Sequence, residues 1–360
     1  MSQINRKGLS KGSLTFVTTS GYSVSVMKNS RVMAWSTKEK AYVKTDVDAL
    51  KIGQFLRLPL NVENDVVPRR EGRFEAQVDG QRGLGKLTQN IEMPSSPVGA
   101  DIRARVFKLP KYMSLLLAEF LGLMVADGCV FQSGFRLLKR HEDVVDRFEF
   151  LCVELFSAKC TRFVSRNVWG CEVNSTYIRS WLESIGGLKP NCKYIPQQVL
   201  DSSLRTQCSF LRGLFEDGTV NVKGDRLDHL SLTTAYVDMA KTVQAMLLRI
   251  GIISSVFDVV NQGHRCWRVN IYGYNASLFA KRIAFVSSFK NTQLQTPSGP
   301  ENRYLIPVDA STVREVEGKP WVRRNALNRG YVSRDAARQL GLTDALKFHH
   351  ERIESIGENV

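Results

Sequence analysis

Two short stretches concentrate the residues capable of chemistry. Leu115 to Gly128 reads LLLAEFLGLMVADG, almost wholly apolar until it stops at Ala-Asp-Gly. Cys208 to Gly218 reads CSFLRGLFEDG and stops on Glu216, Asp217 and Gly218. The two Asp-Gly pairs lie 90 residues apart (217 − 127). An apolar helix buries itself, so an acid at its C-terminal end is a carboxylate carried on a fixed element. Two such helices would bring Asp127 and Asp217 to one shared acidic centre. Carboxylate oxygens are natural ligands of hard divalent cations. A single Asp-Gly pair is as well explained by a turn. The repetition is what points to chemistry.

The elements that must position these acids recur with them. From Lys111 the pattern alternates helix and strand, and it runs twice. In the first half an apolar helix over 112–126 precedes a hairpin turning at Ser133-Gly134. An amphipathic helix follows from Glu142 to Phe156, with Val145, Phe148, Cys152 and Leu155 at helical spacing. Strands CTRFVSR and GCEVNS and a short helix TYIRSWLESIGG complete it. In the second half the apolar helix spans 204–216, the hairpin turns at Lys223-Gly224-Asp225, and a helix runs from Tyr236 to Ile250. Strands ISSVFDVV and RCWRVNIYG lead to a closing helix YNASLFAKRIAF. Val173-Asn174 and Val269-Asn270 occupy matching strands. The pattern is a diverged internal duplication of an αββαββ unit.

Outside the duplication the chain reads differently. Residues 1–60 are short β-prone runs broken by Gly, Asn, Ser and Lys. Residues 61–110 concentrate Pro, Gly and Arg and read as a basic linker. Residues 301–360 are again basic, with a helix-like SRDAARQLG. This divides the chain into 1–110, 111–200, 201–300 and a basic helical extension at 301–360.

Charge and cysteines bound the function. Fifty Lys and Arg against 35 Asp and Glu give a net charge of +15, which suits a polyanionic partner. Basic hairpins stand in both halves, Arg136, Lys139 and Arg140 in one, Lys223 and Arg226 in the other. In the strand WRVNIY, alternation puts Arg268, Asn270 and Tyr272 on the face opposite Trp267, Val269 and Ile271. Guanidinium, amide and phenol groups on one face suit a groove-reading surface. The seven cysteines include no CxxC pair, against a zinc ribbon or dithiol redox motif and for a reducing compartment. No secretory h-region or membrane-spanning run is evident, so the expectation is cytoplasmic, or nuclear in a eukaryotic host.

Taken together, these residues resemble a known family. FLGLMVADG at 120–128 and LRGLFEDG at 211–218 look like the paired motifs of LAGLIDADG homing endonucleases, in their intein-derived form. LKPNCKYIPQQVL at 188–200 is similar to the block before the second motif there, and TTAYVDMAKTVQAMLLRIGIISSV at 233–256 to the block after it. The region from Gly21 to Pro59 resembles the N-terminal part of the intein splicing (Hint) domain. Its splicing residues look absent: no cysteine precedes Cys129, the Thr-x-x-His element reads Met27-Lys28-Asn29-Ser30, and the last residues are Glu358-Asn359-Val360.

The resemblance implies an α+β fold: two pseudo-symmetric αββαββ halves forming a DNA-binding saddle, behind a small β-rich Hint-like domain. It implies a free-standing, monomeric endonuclease that makes double-strand breaks in duplex DNA with Mg²⁺, for which Mn²⁺ substitutes. Asp127 and Asp217 are then the catalytic metal ligands. The second motif is one residue short, so Glu216 stays open as the alternative ligand. Lys193 and Lys290 occupy the places of lysines near the scissile phosphate. Gly122, Ala126 and Gly213 let the motif helices approach. The other function compatible with the shortened motif is a cleavage-deficient nucleic-acid binder, a maturase or transcriptional regulator on the same fold.

Overall fold

The computed structural model describes residues 13–60, 91–94, 107–189, 192–299, 303–309, 313, 324, 326, 327 and 329–359. The expected basic linker falls mostly outside these residues, as does most of 310–328.

The N-terminal strands are β1 (Ser13–Thr18), β2 (Ser23–Met27), β3 (Arg31–Ser36), β4 (Ala41–Asp46) and β5 (Phe55–Pro59). The first half then runs α1 (Leu115–Asp127), β6 (Gly128–Phe131), β7 (Gly134–Lys139), α2 (Glu142–Phe156), β8 (Thr161–Ser165), β9 (Val168–Val173) and α3 (Thr176–Ile185). A short ladder of β10 (Leu188–Lys189) and β11 (Cys192–Lys193) leads through α4 (Gln197–Leu200) to the second half. That half runs α5 (Leu204–Leu214), β12 (Thr219–Lys223), β13 (Arg226–Thr234), α6 (Val237–Arg249), β14 (Ser255–Asn261), β15 (His264–Tyr272), α7 (Tyr274–Arg282) and α8 (Ser288–Leu294). Beyond it lie β16 (Leu305–Pro307), β17 (Tyr331–Ser333), helices Arg334–Gln339 and Thr343–Leu346, and β18 (Phe348–Asn359).

Each half carries a four-stranded antiparallel sheet with the same order, β6-β7-β9-β8 and β12-β13-β15-β14. Register fixes the equivalence residue by residue: Trp169 sits opposite Lys139, and Trp267 opposite Thr234. Val173 therefore corresponds to Ile271, because they sit opposite Phe135 and Leu230. Val173 and Val269 do lie on equivalent strands, with Asn174 just past the end of β9, but two positions out of register. Only backbone pairing aligns the duplication at this level, and a dipeptide does not report it.

Helices α1 and α5 pair along the centre of one continuous apolar core. Each begins at a serine cap: Ser114 Oγ accepts from Leu117 N, and Ser203 Oγ from Thr206 N. The pairing is close because both helices carry glycine at the crossing. A Cβ on Gly122 would lie 2.1 Å from the Phe210 carbonyl oxygen, and one on Gly213 would lie 2.3 Å from that of Glu119. Phe120 stacks on Phe148 and meets Phe135 and Phe156 edge-on, filling the first half. Phe279 meets Phe215 and Phe285 in the second.

A cluster of paired charges is buried inside this core. Glu119 Oε1 accepts from Arg147 Nε at 2.7 Å, and Oε2 lies 3.4 Å from Arg212 Nη1. Arg212 Nε also donates to the Phe285 carbonyl. The triad joins α1, α2, α5 and the segment before α8. Buried charges survive only when paired this way.

The last strand changes the expected domain division. β18 lies between β1 and β5 in a six-stranded sheet of order β2-β1-β18-β5-β3-β4. Residues 301–360, expected as a helical extension, thus supply an inner strand of the N-terminal unit, besides the short helices at 334–339 and 343–346. The cause is long-range ladder pairing, which local helix-like composition does not disclose. This unit is fastened to the second half: Ser20 O accepts from Val256 N and from Gln244 Nε2. Gly21, at φ +83°, makes that approach, with a Cβ there falling 2.9 Å from Val256 O. Among the described residues, no helix is long and apolar enough to cross a membrane.

Candidate active site

Asp127 ends α1, and Asp217 ends a 3-10 turn, Phe215–Asp217, that continues α5. That turn absorbs the missing residue. Five residue steps separate Gly122 from Asp127, and four separate Gly213 from Asp217. An α step rises ~1.5 Å and turns ~100°, whereas a 3-10 step rises ~2.0 Å and turns ~120°. One α step and three 3-10 steps rise ~7.5 Å and turn ~460°. Five α steps rise ~7.5 Å and turn ~500°. The tighter winding restores the height and most of the direction of the carboxylate.

It also settles where Glu216 points. Glu216 is buried, and its Oε1 accepts from the backbone N–H groups of Val286 and Ser287. Its carboxylate is thereby used to hold the segment leading into α8, turned away from a role as metal ligand. Asp217 keeps an exposed edge.

Three lysines converge on the two corners. Lys193 Nζ donates to the Ala126 carbonyl at 3.0 Å. Lys290 Nζ donates to the Glu216 carbonyl at 2.6 Å and the Gly218 carbonyl at 2.8 Å, and pairs with Glu216 Oε2 at 3.5 Å. Each motif thus has a lysine on the carbonyl just before its aspartate. Lys139 Nζ lies 3.1 Å from Asp127 Oδ2 and 3.4 Å from the Glu216 carbonyl, spanning both motifs.

The electrostatics follow from this crowding. Loss of hydration raises the Asp217 carboxyl above the ordinary range; Lys139 opposes the rise, Asp127 adds to it, and Lys193 and Lys290 oppose it. Burial lowers the Lys193 ammonium, against the pull of Asp127 and Asp217. Burial lowers Lys290 likewise, against the pull of Glu216. The charges are coupled as one centre.

Further contacts hold the centre's second side. Asp143 Oδ2 accepts from both the N–H and the hydroxyl of Ser288, each at 2.6 Å. His141 stacks on Phe289 at 5.0 Å. These tie the start of α2 to the start of α8, next to Lys290. Neither Asp143 nor Ser288 carries a local sequence signal for this pairing.

The residues expected to read DNA divide into two groups. Arg140, Lys223 and Arg226 are exposed, and Arg136 and Arg268 partly so. Arg136 rests against Glu172 and the Phe131 ring, and Arg268 Nε donates to Thr233 Oγ1. Asn270 and Tyr272 are buried instead. Asn270 Nδ2 donates to Tyr272 OH, and Arg303 covers the Tyr272 ring. The strand alternation holds, but Tyr272 is covered by the later Arg303 and Asn270 is turned onto Tyr272. Lys139 is 10% exposed and belongs to the acidic centre rather than the open face. Alternation along β7 gives the reason: Lys139 shares the helix-facing side with buried Leu137. The same alternation is visible in the sequence. Ala126 is half-buried against the core and offers its carbonyl to Lys193.

A divalent ion fits this donor set. The ammonium groups already rest on hard oxygen atoms, the Asp127 carboxylate and the Ala126, Glu216 and Gly218 carbonyls. Among the described residues no group of three or more His, Cys, Asp or Glu is spaced to hold an ion by itself. Two carboxylates leave coordination positions for water and a phosphate.

Comparison with known proteins agrees with the second half. Residues 205–284 match the LAGLIDADG-like domain family. The chain is 27% identical over 209 residues to the A-type subunit of DNA gyrase from Mycolicibacterium flavescens, covering 50% of this chain and 37% of that protein. It is 21% identical over 286 residues to the replicative DNA helicase DnaB of Synechocystis, covering 73% and 32%. The chain therefore spans only about a third of the length of these curated relatives. Among solved structures it is similar to the homing endonuclease I-DmoI bound to DNA and Mn, at 16% identity and TM-score 0.37, over 48% of this chain and 97% of that one. It is also similar to the homing endonuclease I-WcaI bound to its DNA recognition sequence, at 14% identity and TM-score 0.39, over 51% and 87%. The chain contains a LAGLIDADG-like domain within a mixed α/β fold.

Proposed function

We propose that this protein is a sequence-specific DNA endonuclease of the homing type, cutting both strands of a duplex as a monomer. The observation that carries the reading is the convergence of Asp127 and Asp217 with three lysines at the paired helix ends. One aspartate serves each strand, so a double-strand break follows from the duplication.

Asp127 and Asp217, with neighbouring backbone carbonyls, would hold Mg²⁺. When bound, the ion polarises the phosphoryl oxygen and lowers the pKa of bound water. Lys193 and Lys290 face the growing negative charge on the phosphorus oxygens. Their ammonium groups are already pushed toward the neutral form by burial, which favours proton exchange with the attacking water. Arg136, Arg140, Lys223, Arg226 and Arg268 are the proposed contacts to duplex DNA, binding phosphates and base edges. The shortened second motif and the helix-like SRDAARQLG favour the alternative, a cleavage-deficient binder; the 3-10 turn that carries Asp217 beyond α5 supports the nuclease reading over it.

The unit formed by β1–β5 and β18 is proposed as a degenerate Hint-like domain. Its support is the sequence resemblance, together with a sheet whose strands come from both sides of the two-half body.

The test is incubation of the protein with a library of randomised duplexes, with and without Mg²⁺. Recovery of one family of sites, cut on both strands only with the ion, is expected. Binding without scission under Mg²⁺ and Mn²⁺ would sink the nuclease reading.

A further inference from the structure

The charges of the centre balance without any added ion. Asp127, Asp217 and Glu216 face Lys139, Lys193 and Lys290. Lys193 and Lys290 have equivalent places in the two halves, each on the carbonyl before an aspartate. Lys139 has no such counterpart. Its registered partner position is Thr234, because Lys139 is opposite Trp169 and Thr234 opposite Trp267. The Thr234 hydroxyl is engaged locally, accepting from Tyr236 N and donating to Met239 Sδ.

Lys139 also sits on a particular pair of oxygens, a carboxylate from the first motif and a backbone carbonyl from the second. Carboxylate and carbonyl oxygens of these two kinds are also what would hold a hard cation between the motifs. An ammonium and a divalent ion cannot both occupy this pair. With the lysine in place, the centre has no excess negative charge to draw an ion from water. A phosphodiester changes this: it brings a negative charge, offers the ammonium another partner, and supplies ligand oxygens.

We propose that Lys139 is the resident cation of this centre, holding the bridging oxygen pair closed to divalent ions until a DNA phosphate draws it away. This rests on the nuclease reading of the site. It makes Lys139 a positioning residue whose action is to couple ion entry to DNA binding, with the first half as the side that carries the coupling.

The test is Mn²⁺ binding by the full chain without DNA, read from the loss of the free-ion electron paramagnetic resonance signal. Lys139→Thr, which gives the first half the residue of the second, is expected to bind Mn²⁺ at least about tenfold more tightly than the wild type, roughly 1.4 kcal/mol. Lys139→Arg keeps the charge and is expected to match the wild type. Lys139→Gln, close in length, repeats the measurement if the threonine variant unfolds. Equal Mn²⁺ affinity in wild type and the neutral variants overturns the proposal, as does tighter binding by the wild type than by either. Scission is not the readout, so an inactive protein that still shows the affinity difference would refute the nuclease reading and leave the resident cation standing.

Discussion

On one flank of the α1–α5 crossing Glu119 meets Arg212; the registered positions on the other flank hold Phe210 and Leu121, both fully buried. The glycines at the crossing occupy equivalent places, as do the aspartates beyond them, yet these flanking pairs differ in kind. The same contrast appears at the centre, where Lys139 answers to Thr234. Backbone symmetry is preserved where geometry demands it, at the close approach and the acidic corners. Side-chain symmetry is lost where complementarity suffices. An ion pair on one flank and an apolar pair on the other make each half complementary to its partner and not to itself, since like pairing would bury two Glu119 carboxylates without Arg212, or two Arg212 guanidiniums without Glu119.

The largest effects are expected at the acids. Asp127→Asn and Asp217→Asn are each expected to lower cutting of one strand by about 10³-fold or more, roughly 4 kcal/mol. A supercoiled plasmid carrying the site would then stop at the nicked form, on opposite strands for the two variants. Loss of both cuts in either variant would show that the two aspartates act as one site.

Next come the glycines. Gly122→Val and Gly213→Val should each cost ~3 kcal/mol or more in thermal or urea unfolding, since the added carbons fall on backbone atoms that cannot yield. Similar losses are expected from the two; a large disparity would count against equivalent packing. Arg212→Leu should cost ~3 kcal/mol by leaving Glu119 partly unpaired. The double change Glu119→Leu with Arg212→Leu imitates the apolar flank and should cost less than the single one. If it costs more, the ion pair is not an alternative to apolar packing.

Acid separates the second half from the N-terminal unit. The raised Asp217 carboxyl must be ionised to act, so cutting of its strand should fail on acidification above the ordinary carboxylate range. A strand-resolved pH profile reads this. Stability responds through another group. Burial lowers His350 from 6.5 to about 4, with the Ala345 carbonyl opposing and His349, Arg334 and Arg57 adding to the shift. The unfolded chain then binds a proton that the folded chain refuses. Stability is full above about pH 6.5 and declines toward pH 4, by at most ~3 kcal/mol. His350→Gln should flatten that slope in unfolding curves.

Much of this is legible in the sequence because it rests on local pattern. The motif helices, their glycines and the Asp-Gly corners follow from spacing within a dozen residues. The place of Lys139 is legible too, by the same alternation that orders β15, since it shares a face with Leu137. The direction of Glu216 is not, because it depends on a 3-10 turn and on N–H groups some 70 residues later. The cover over the Tyr272 ring comes from Arg303, outside the repeat. The place of β18 depends on pairing with strands at the far side of the chain.

That strand has a consequence for how the protein is made. β1 and β5 are its neighbours, yet residue 348 follows residue 59 by roughly 290 positions. At ~5–20 residues per second, a ribosome needs about 15 to 60 s to bridge them. Throughout that interval two strand edges wait with unmet backbone groups while the paired helices and sheets are synthesised and fold. The N-terminal sheet can therefore be completed only after both halves have been synthesised.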